Sequence, residues 1–234
     1  MSIRENLERI HDEIVAACRR AGRNEGEVQL MAVSKVHPVE ALLEAMEAGQ
    51  RLFGENRVQE FAGKAEQVRV AGEEAATRAE VHLIGPLQNN KTARAAELFA
   101  AVDTIDSLKT AQRLSSAAES LQKRLPVLVE VKLSQEETKH GVQPELLEEL
   151  LTGVAAQPAL ELRGLMTVPP WSTEGEAARP FFRELRRLRD QFQTRHPELR
   201  ELSMGMSNDF AVAIEEGSTT VRLGTAIFGQ RPRV

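Results

Sequence analysis

The stretch QLMAVSKVHPVEALLEAMEAG, residues 29–49, decides how the rest of the chain is read. Its first third, Gln29 to Lys35, is a short and mostly apolar run that ends in an amine. Its second part is a helical pattern with Pro38 at its start and Gly49 at its end. Proline suits the first turn of a helix and glycine the position just past its end. The expected unit is a strand that feeds directly into a helix.

That unit recurs. Further β-rich runs lie at residues 51–56, 81–85, 101–106, 126–133, 162–168, 201–205 and 219–224. Helical patterns separate them, among them 144–157 and 178–192. In the second of these Leu185, Leu188 and Phe192 form an apolar stripe, and the arginines read as a solvated face. Before the first run, Ile3, Leu7, Ile10, Ile14 and Cys18 recur at three- and four-residue steps. Residues 2–21 are therefore expected to be an amphipathic helix, with Gly22 as its stop. Eight strand candidates alternating with helices, in a chain of 234 residues, predict an α/β fold. The form expected is a single (β/α)₈ TIM-type barrel with an extra N-terminal helix, one domain over residues 1–234, near the ~250 residues usual for such barrels. A doubly wound open sheet is the competing architecture. No Gly/Ser/Pro-rich linker divides the chain, and GEEAATRAE (72–80) reads as a loop or helix end.

Composition narrows the function classes. The chain is 41% hydrophobic and 28% charged with a net charge of −5, which gives no basic footprint for nucleic acid. No apolar run approaches the ~18–20 residues of a membrane span, and MSIRENLERI is a charged helix start rather than a signal peptide. A lone Cys18 leaves neither a disulfide framework nor a cysteine-based metal cluster, and a packing role is expected for it. A cytoplasmic protein is expected. There is no tyrosine.

In barrels of this type the functional face is built at the C-terminal ends of the strands. Lys35, Asn56, Asp106, Thr167, Ser203, Gly205, Gly224 and Thr225 all fall at such ends. Lys35 shares side-chain parity with Met31 and Val33, so it enters the barrel if they do. A partly desolvated amine has a lowered pKa and suits Schiff-base chemistry; the other reading is a solvent-exposed lysine at the turn. Strands seven and eight commonly frame a phosphate site. Ser203, Gly205 and Ser207 on one side, and Gly224 with Thr225 on the other, supply hydroxyls and close backbone approach there. SND (207–209) reads as an N-cap run, and Asn89 or Asn90 as a helix cap. Arg222 is expected to point inward, where it needs Asp106, Glu130 or a ligand as acceptor. His82 has no metal-like spacing around it and reads as a packed, hydrogen-bonded histidine; no metal site is expected. Lys139, in the charged loop 131–141, is a second anion-contact candidate.

Taken together, AVSKVHP, FGENRVQE, HLIGPLQNNK, GLMTVPP and LSMGMSNDFAVAIEEGSTTVRLGTAIFG resemble the pyridoxal phosphate homeostasis protein family, in order and over nearly the whole chain. The resemblance implies a barrel related to the N-terminal domain of alanine racemase. It also implies pyridoxal 5′-phosphate held as a Schiff base on Lys35, with a role in vitamin B6 supply and buffering. By motif position Asn56 lies beside the cofactor. Ser203, Met204, Gly224 and Thr225 form the phosphate cradle, and Arg222 faces the pyridine nitrogen. His82 borders the site. Relatives often carry a lysine where this chain has His37, and a tyrosine where it has Arg57.

Arginine opposite the pyridine nitrogen disfavours protonation there and weakens the ring as an electron sink. A racemase of this fold also uses a tyrosine from an extra β domain, and neither is expected here. The expectation is a monomeric cofactor carrier without turnover that serves PLP-dependent apo-enzymes. A PLP-dependent racemase or decarboxylase is the alternative. A cofactor-free Schiff-base aldolase or a purely structural protein would carry no chromophore.

Overall fold

The computed structural model describes residues 2–74, 79–134, 136 and 140–229. The strands are β1 (Gln29–Val33), β2 (Leu52–Glu55), β3 (Glu80–Leu83), β4 (Ala101–Ile105), β5 (Leu125–Glu130), β6 (Leu160–Met166), β7 (Glu201–Ser203) and β8 (Thr220–Leu223). All eight expected runs are strands, joined in sequence order as a closed parallel barrel. Closure comes from β8 pairing with β1, Gln29 opposite Thr220 through Ala32 opposite Leu223. That pairing excludes the open doubly wound sheet.

Helix α1 (Ile3–Arg20) precedes the barrel, and α2 (Val39–Glu47) follows β1. After β2 come α3 (Val58–Ala62) and α4 (Ala65–Glu74), then α5 (Thr92–Leu98), α6 (Leu108–Ser120), α7 (Leu147–Ala155), α8 (Arg179–Gln193), α9 (Phe210–Glu215) and α10 (Thr225–Phe228). Ser2 and Glu5 close a reciprocal capping box on α1, satisfying two amide donors at the helix start. Of the 72–80 stretch, α4 runs to Glu74, β3 begins at Glu80, and residues 75–78 lie outside the described residues, as does Lys139. Two caps differ from expectation. Gln88 and Lys91, rather than Asn89 or Asn90, occupy the cap positions before the 3₁₀ turn Asn89–Lys91 and α5. Asp209 stands at the N-cap of α9 but turns back, its carboxylate accepting the Met206 amide.

The buried residues form two compartments. Strand residues such as Ala32, Phe53, Leu83, Leu202 and Leu223 pack outward against Leu42, Phe61, Leu151 and Phe182 of the helices in one continuous cluster, and Cys18 packs within it. Full burial of each such large side chain stabilises by about 1.5–3 kcal/mol. Met31, Val33 and Met166 are also buried but stand apart from that cluster. They share the barrel interior with an unusual density of buried charge: Asp103, Glu130 and Arg222. Strands β6 and β7 approach so closely that a Cβ at Gly164 would lie 2.0 Å from the Glu201 carbonyl oxygen, which only glycine avoids. Helix α1 lies over the corner after β8, where Asn6 Nδ2 donates to the Ile227 carbonyl at 2.8 Å. No helix among the described residues is long and apolar enough to cross a membrane.

Candidate functional site

Lys35, Asn56, Ser203 and Gly224 sit at or just beyond the ends of β1, β2, β7 and β8. Barrel closure makes these four strands consecutive, in the order β7, β8, β1, β2. Residues far apart in sequence are thus assembled on one half of the rim.

The ladder with β2 continues one residue past β1, where the Ser34 amide donates to the Gly54 carbonyl at 3.1 Å. The chain then turns, closed by the His37 amide on the Ser34 carbonyl at 3.1 Å. Lys35 lies in this turn, half-buried. Its neighbour Val36 has φ 62°, a left-handed conformation that a β-branched residue adopts only at a cost. His37, at the position where a second lysine was expected from relatives, is buried and stacks obliquely on Phe228, ring centroids 5.0 Å apart. That contact ties the lysine turn to α10. Arg57 is exposed at the N-cap of α3.

On the other side, Gly224 caps α10 and approaches β1 closely: a Cβ there would sit 3.1 Å from the Val33 carbonyl oxygen. Thr225 opens the short helix, whose first amides have no intrahelical acceptor. Ser203 is fully buried and accepts a hydrogen bond at its Oγ from Arg222 Nη1 at 2.8 Å. Met204 enters this rim through packing. Its side chain belongs to the outer cluster, and its amide donates to the Thr220 carbonyl at 3.1 Å.

Arg222 is inward and 4% exposed. Its second nitrogen donates to the Thr167 carbonyl at 2.8 Å, so one guanidinium bridges the ends of β6, β7 and β8. Burial pushes its pKa down, while Asp103, Glu130 and Asp209 oppose that shift. Glu130 was among the expected acceptors. Asp106 was too, but Asp103 takes that place. Val102 packs outward, so alternation turns Asp103 inward within β4, whereas Asp106 lies one residue past the end of the strand at Ile105.

Asp103 also accepts from His82, whose Nδ1 lies 3.1 Å from Oδ1, so His82 is the packed, hydrogen-bonded residue expected. Burial alone would lower the His82 pKa, but the charge and hydrogen bond of Asp103 outweigh it and raise the value. A histidine raised in the folded state contributes stability below about pH 6.5, and this is lost as pH climbs through the raised value. The urea midpoint should therefore fall across that window. In an NMR titration His82 should show a midpoint above about 6.5, and Asp103→Asn should bring it below, because burial then dominates. A wild-type midpoint at or under the free-imidazole value would refute the pairing.

Sequence reading also missed a group behind the lysine turn. Glu55 is fully buried, and its Oε1 accepts from Ser34 Oγ at 2.8 Å and from Lys64 Nζ at 3.1 Å. Lys64 reaches Glu60 as well, at 3.1 Å, and Glu60 accepts the Val36 amide. The three residues are spaced five and four apart on separate elements, and no motif links them. Among the described residues no group of three or more His, Cys, Asp or Glu could hold a metal ion.

The family model described as "Alanine racemase, N-terminal domain" matches residues 6–232. The chain is 46% identical over 231 residues to the pyridoxal phosphate homeostasis protein of Vibrio cholerae, covering 98% of this chain and 97% of that one. Its identity to the Escherichia coli protein of the same name is 45%, with the same coverage. Among solved structures, PipY of Synechococcus elongatus with PLP bound superposes with a TM-score of 0.83 at 35% identity, covering 97% of this chain and all of that one, 100%. An alanine racemase of Clostridium difficile shares the fold at a TM-score of 0.75 and 17% identity, over 99% of this chain and 57% of that one.

Proposed function

Because this chain belongs to the alanine racemase N-terminal domain family, among the pyridoxal phosphate homeostasis proteins, we propose that it binds pyridoxal 5′-phosphate on Lys35 and buffers or supplies that cofactor. The observation that carries the reading is the convergence of four strand ends. A lysine turn on β1 lies beside a glycine-lined helix start on β8 and a buried hydroxyl on β7. The donor set fits the group. Lys35 brings an amine that can add to an aldehyde, and the Ser203 hydroxyl with the backbone at Gly224 and Thr225 suits a phosphate dianion. Met204 backs this cradle by packing. Asn56 borders the ring, and Arg222 faces its nitrogen.

When bound, the group supplies an aldehyde carbon to which an amine adds, the carbonyl oxygen leaving as water. The protein's own residues do the rest. Lys35 provides the amine from a turn held on both flanks. Arg222, a permanent cation held in place by hydrogen bonds to Ser203 and Thr167, disfavours a proton on the ring nitrogen it would face. With no tyrosine in the sequence, the usual partner acid–base group of this fold is missing. Both features support carriage without turnover. The protein works as a cytoplasmic monomer that exchanges cofactor with PLP-dependent apo-enzymes.

The test is visible absorbance before and after borohydride, with peptide mass mapping of the reduced protein. A band lost on reduction and a pyridoxyl mass on the Lys35 peptide are expected. A colourless protein that takes up no added pyridoxal phosphate would overturn the reading, and turnover of an amino acid by the loaded protein would favour a racemase or decarboxylase instead.

A further inference from the structure

Glu55, Lys64 and Glu60 contact the lysine turn directly. Three contacts grip the turn from its outer side. Ser34 Oγ donates to Glu55, Lys64 Nζ donates to the Ser34 carbonyl at 3.3 Å, and the Val36 amide donates to Glu60. Ser34 and Val36 are the two neighbours of Lys35, so the chain is anchored on both sides of the amine. Ser34 is drawn outward to Glu55, which fixes the point where the strand gives way to the lysine turn. The arrangement is costly. Glu55 Oε2 is buried without a hydrogen-bond partner, and Val36 is kept at φ 62° although the residue is 51% exposed and contributes little packing in return. Unsatisfied buried carboxylate atoms and left-handed β-branched residues are rare, and they persist where the surroundings impose them.

We propose that Glu55, Lys64 and Glu60 form a carboxylate–ammonium–carboxylate brace that holds the turn in this conformation and so sets the position of the Lys35 amine for covalent attachment of the cofactor. The inference rests on the cofactor reading above. It makes Glu55, Lys64 and Glu60 positioning residues: they act on the amine through the backbone on either side of it. Glu60 suits the part. Burial would raise its pKa, but the Val36 amide and Lys64 outweigh that and keep it below the ordinary carboxylate range, charged and able to hold the amide. Lys64, with a side chain 12% exposed, joins the two carboxylates and is the centre of the unit.

The experiment separates binding from attachment. Affinity for 4-deoxypyridoxine 5′-phosphate, which has the ring and phosphate but no aldehyde, reports the cradle alone. The rate at which the visible band grows after mixing with pyridoxal 5′-phosphate reports the amine. Lys64→Met should leave analogue affinity unchanged and slow attachment by about ten- to hundredfold, the scale of a reacting group displaced by an ångström or less. Lys64→Arg, which keeps the cation, should recover most of the rate. If Lys64→Met folds poorly because Glu55 is left unpaired, the double variant Glu55→Gln/Lys64→Met removes both charges, and Val36→Gly loosens the turn without touching the core; each should slow attachment likewise. Attachment at the wild-type rate in these folded variants would overturn the brace while leaving the cofactor reading intact. Equal loss of analogue binding and attachment would also overturn it, because the brace would then be merely structural. A wild-type protein that binds neither compound would overturn both.

Discussion

Lys35→Ala should give a folded protein that is colourless and that retains no pyridoxyl group after borohydride. The effect on attachment is complete, because it rests on a single nucleophilic nitrogen. The effect on stability should be small, within about 0.5 kcal/mol, since Lys35 is a half-buried turn residue and the backbone of the turn is held through Ser34 and Val36. The variant should still bind the aldehyde-free analogue, because the proposed phosphate end of the site lies on β7 and β8. The check is absorbance with mass mapping, beside a urea denaturation curve and an analogue titration. A pyridoxyl mass on another lysine, with the wild-type band intact, would remove Lys35 from its assigned role. Loss of folding would show that the lysine is structural.

The second large effect is expected at Arg222, on stability as well as on spectrum. Arg222→Met keeps much of the side-chain volume but leaves Asp103 and Glu130 in the barrel interior without their cation, and Ser203 Oγ and the Thr167 carbonyl without their donor. Removing one partner from a buried charged set costs about 3–5 kcal/mol. For a chain of this size that is a fall in Tm of roughly 6–20 °C. Arg222→Lys restores the charge but not the two-pronged geometry, so it should recover only part of the loss. In whatever fraction folds, the visible band should move, since the cation proposed to face the ring nitrogen is gone. Calorimetry of the three proteins decides the first point. A Tm within a degree or two of wild type for Arg222→Met would mean that the interior acids are neutral or compensated otherwise.

Much of the architecture was legible before any coordinates. Strand and helix periods are set by local stereochemistry, and Pro38 and Gly49 punctuate the first unit through their own backbone limits. The order of eight runs therefore follows from local rules, as does the parity that groups Lys35 with Met31 and Val33. Ser203, Gly224 and Thr225 were placed at strand ends for the same reason. The family resemblance added a chemistry to positions that the pattern had only located.

Other features depended on contacts between distant segments. Whether the sheet closes is decided by Gln29 to Ala32 meeting Thr220 to Leu223, a pairing that neither segment encodes alone. The acid beside Arg222 is Asp103 rather than Asp106 because β4 ends at Ile105, and where a strand stops depends on how it pairs with its two neighbours. Glu55, Lys64 and Glu60 are ordinary charged residues in sequence. Their grip on the lysine turn exists only because β2, the segment between α3 and α4, and the turn after β1 meet in space. The sequence alone determined which elements form, in what order, and which amine ends the first strand. Tertiary structure decided which charges share the barrel interior and what holds that amine in place, because register and burial are properties of packed neighbours.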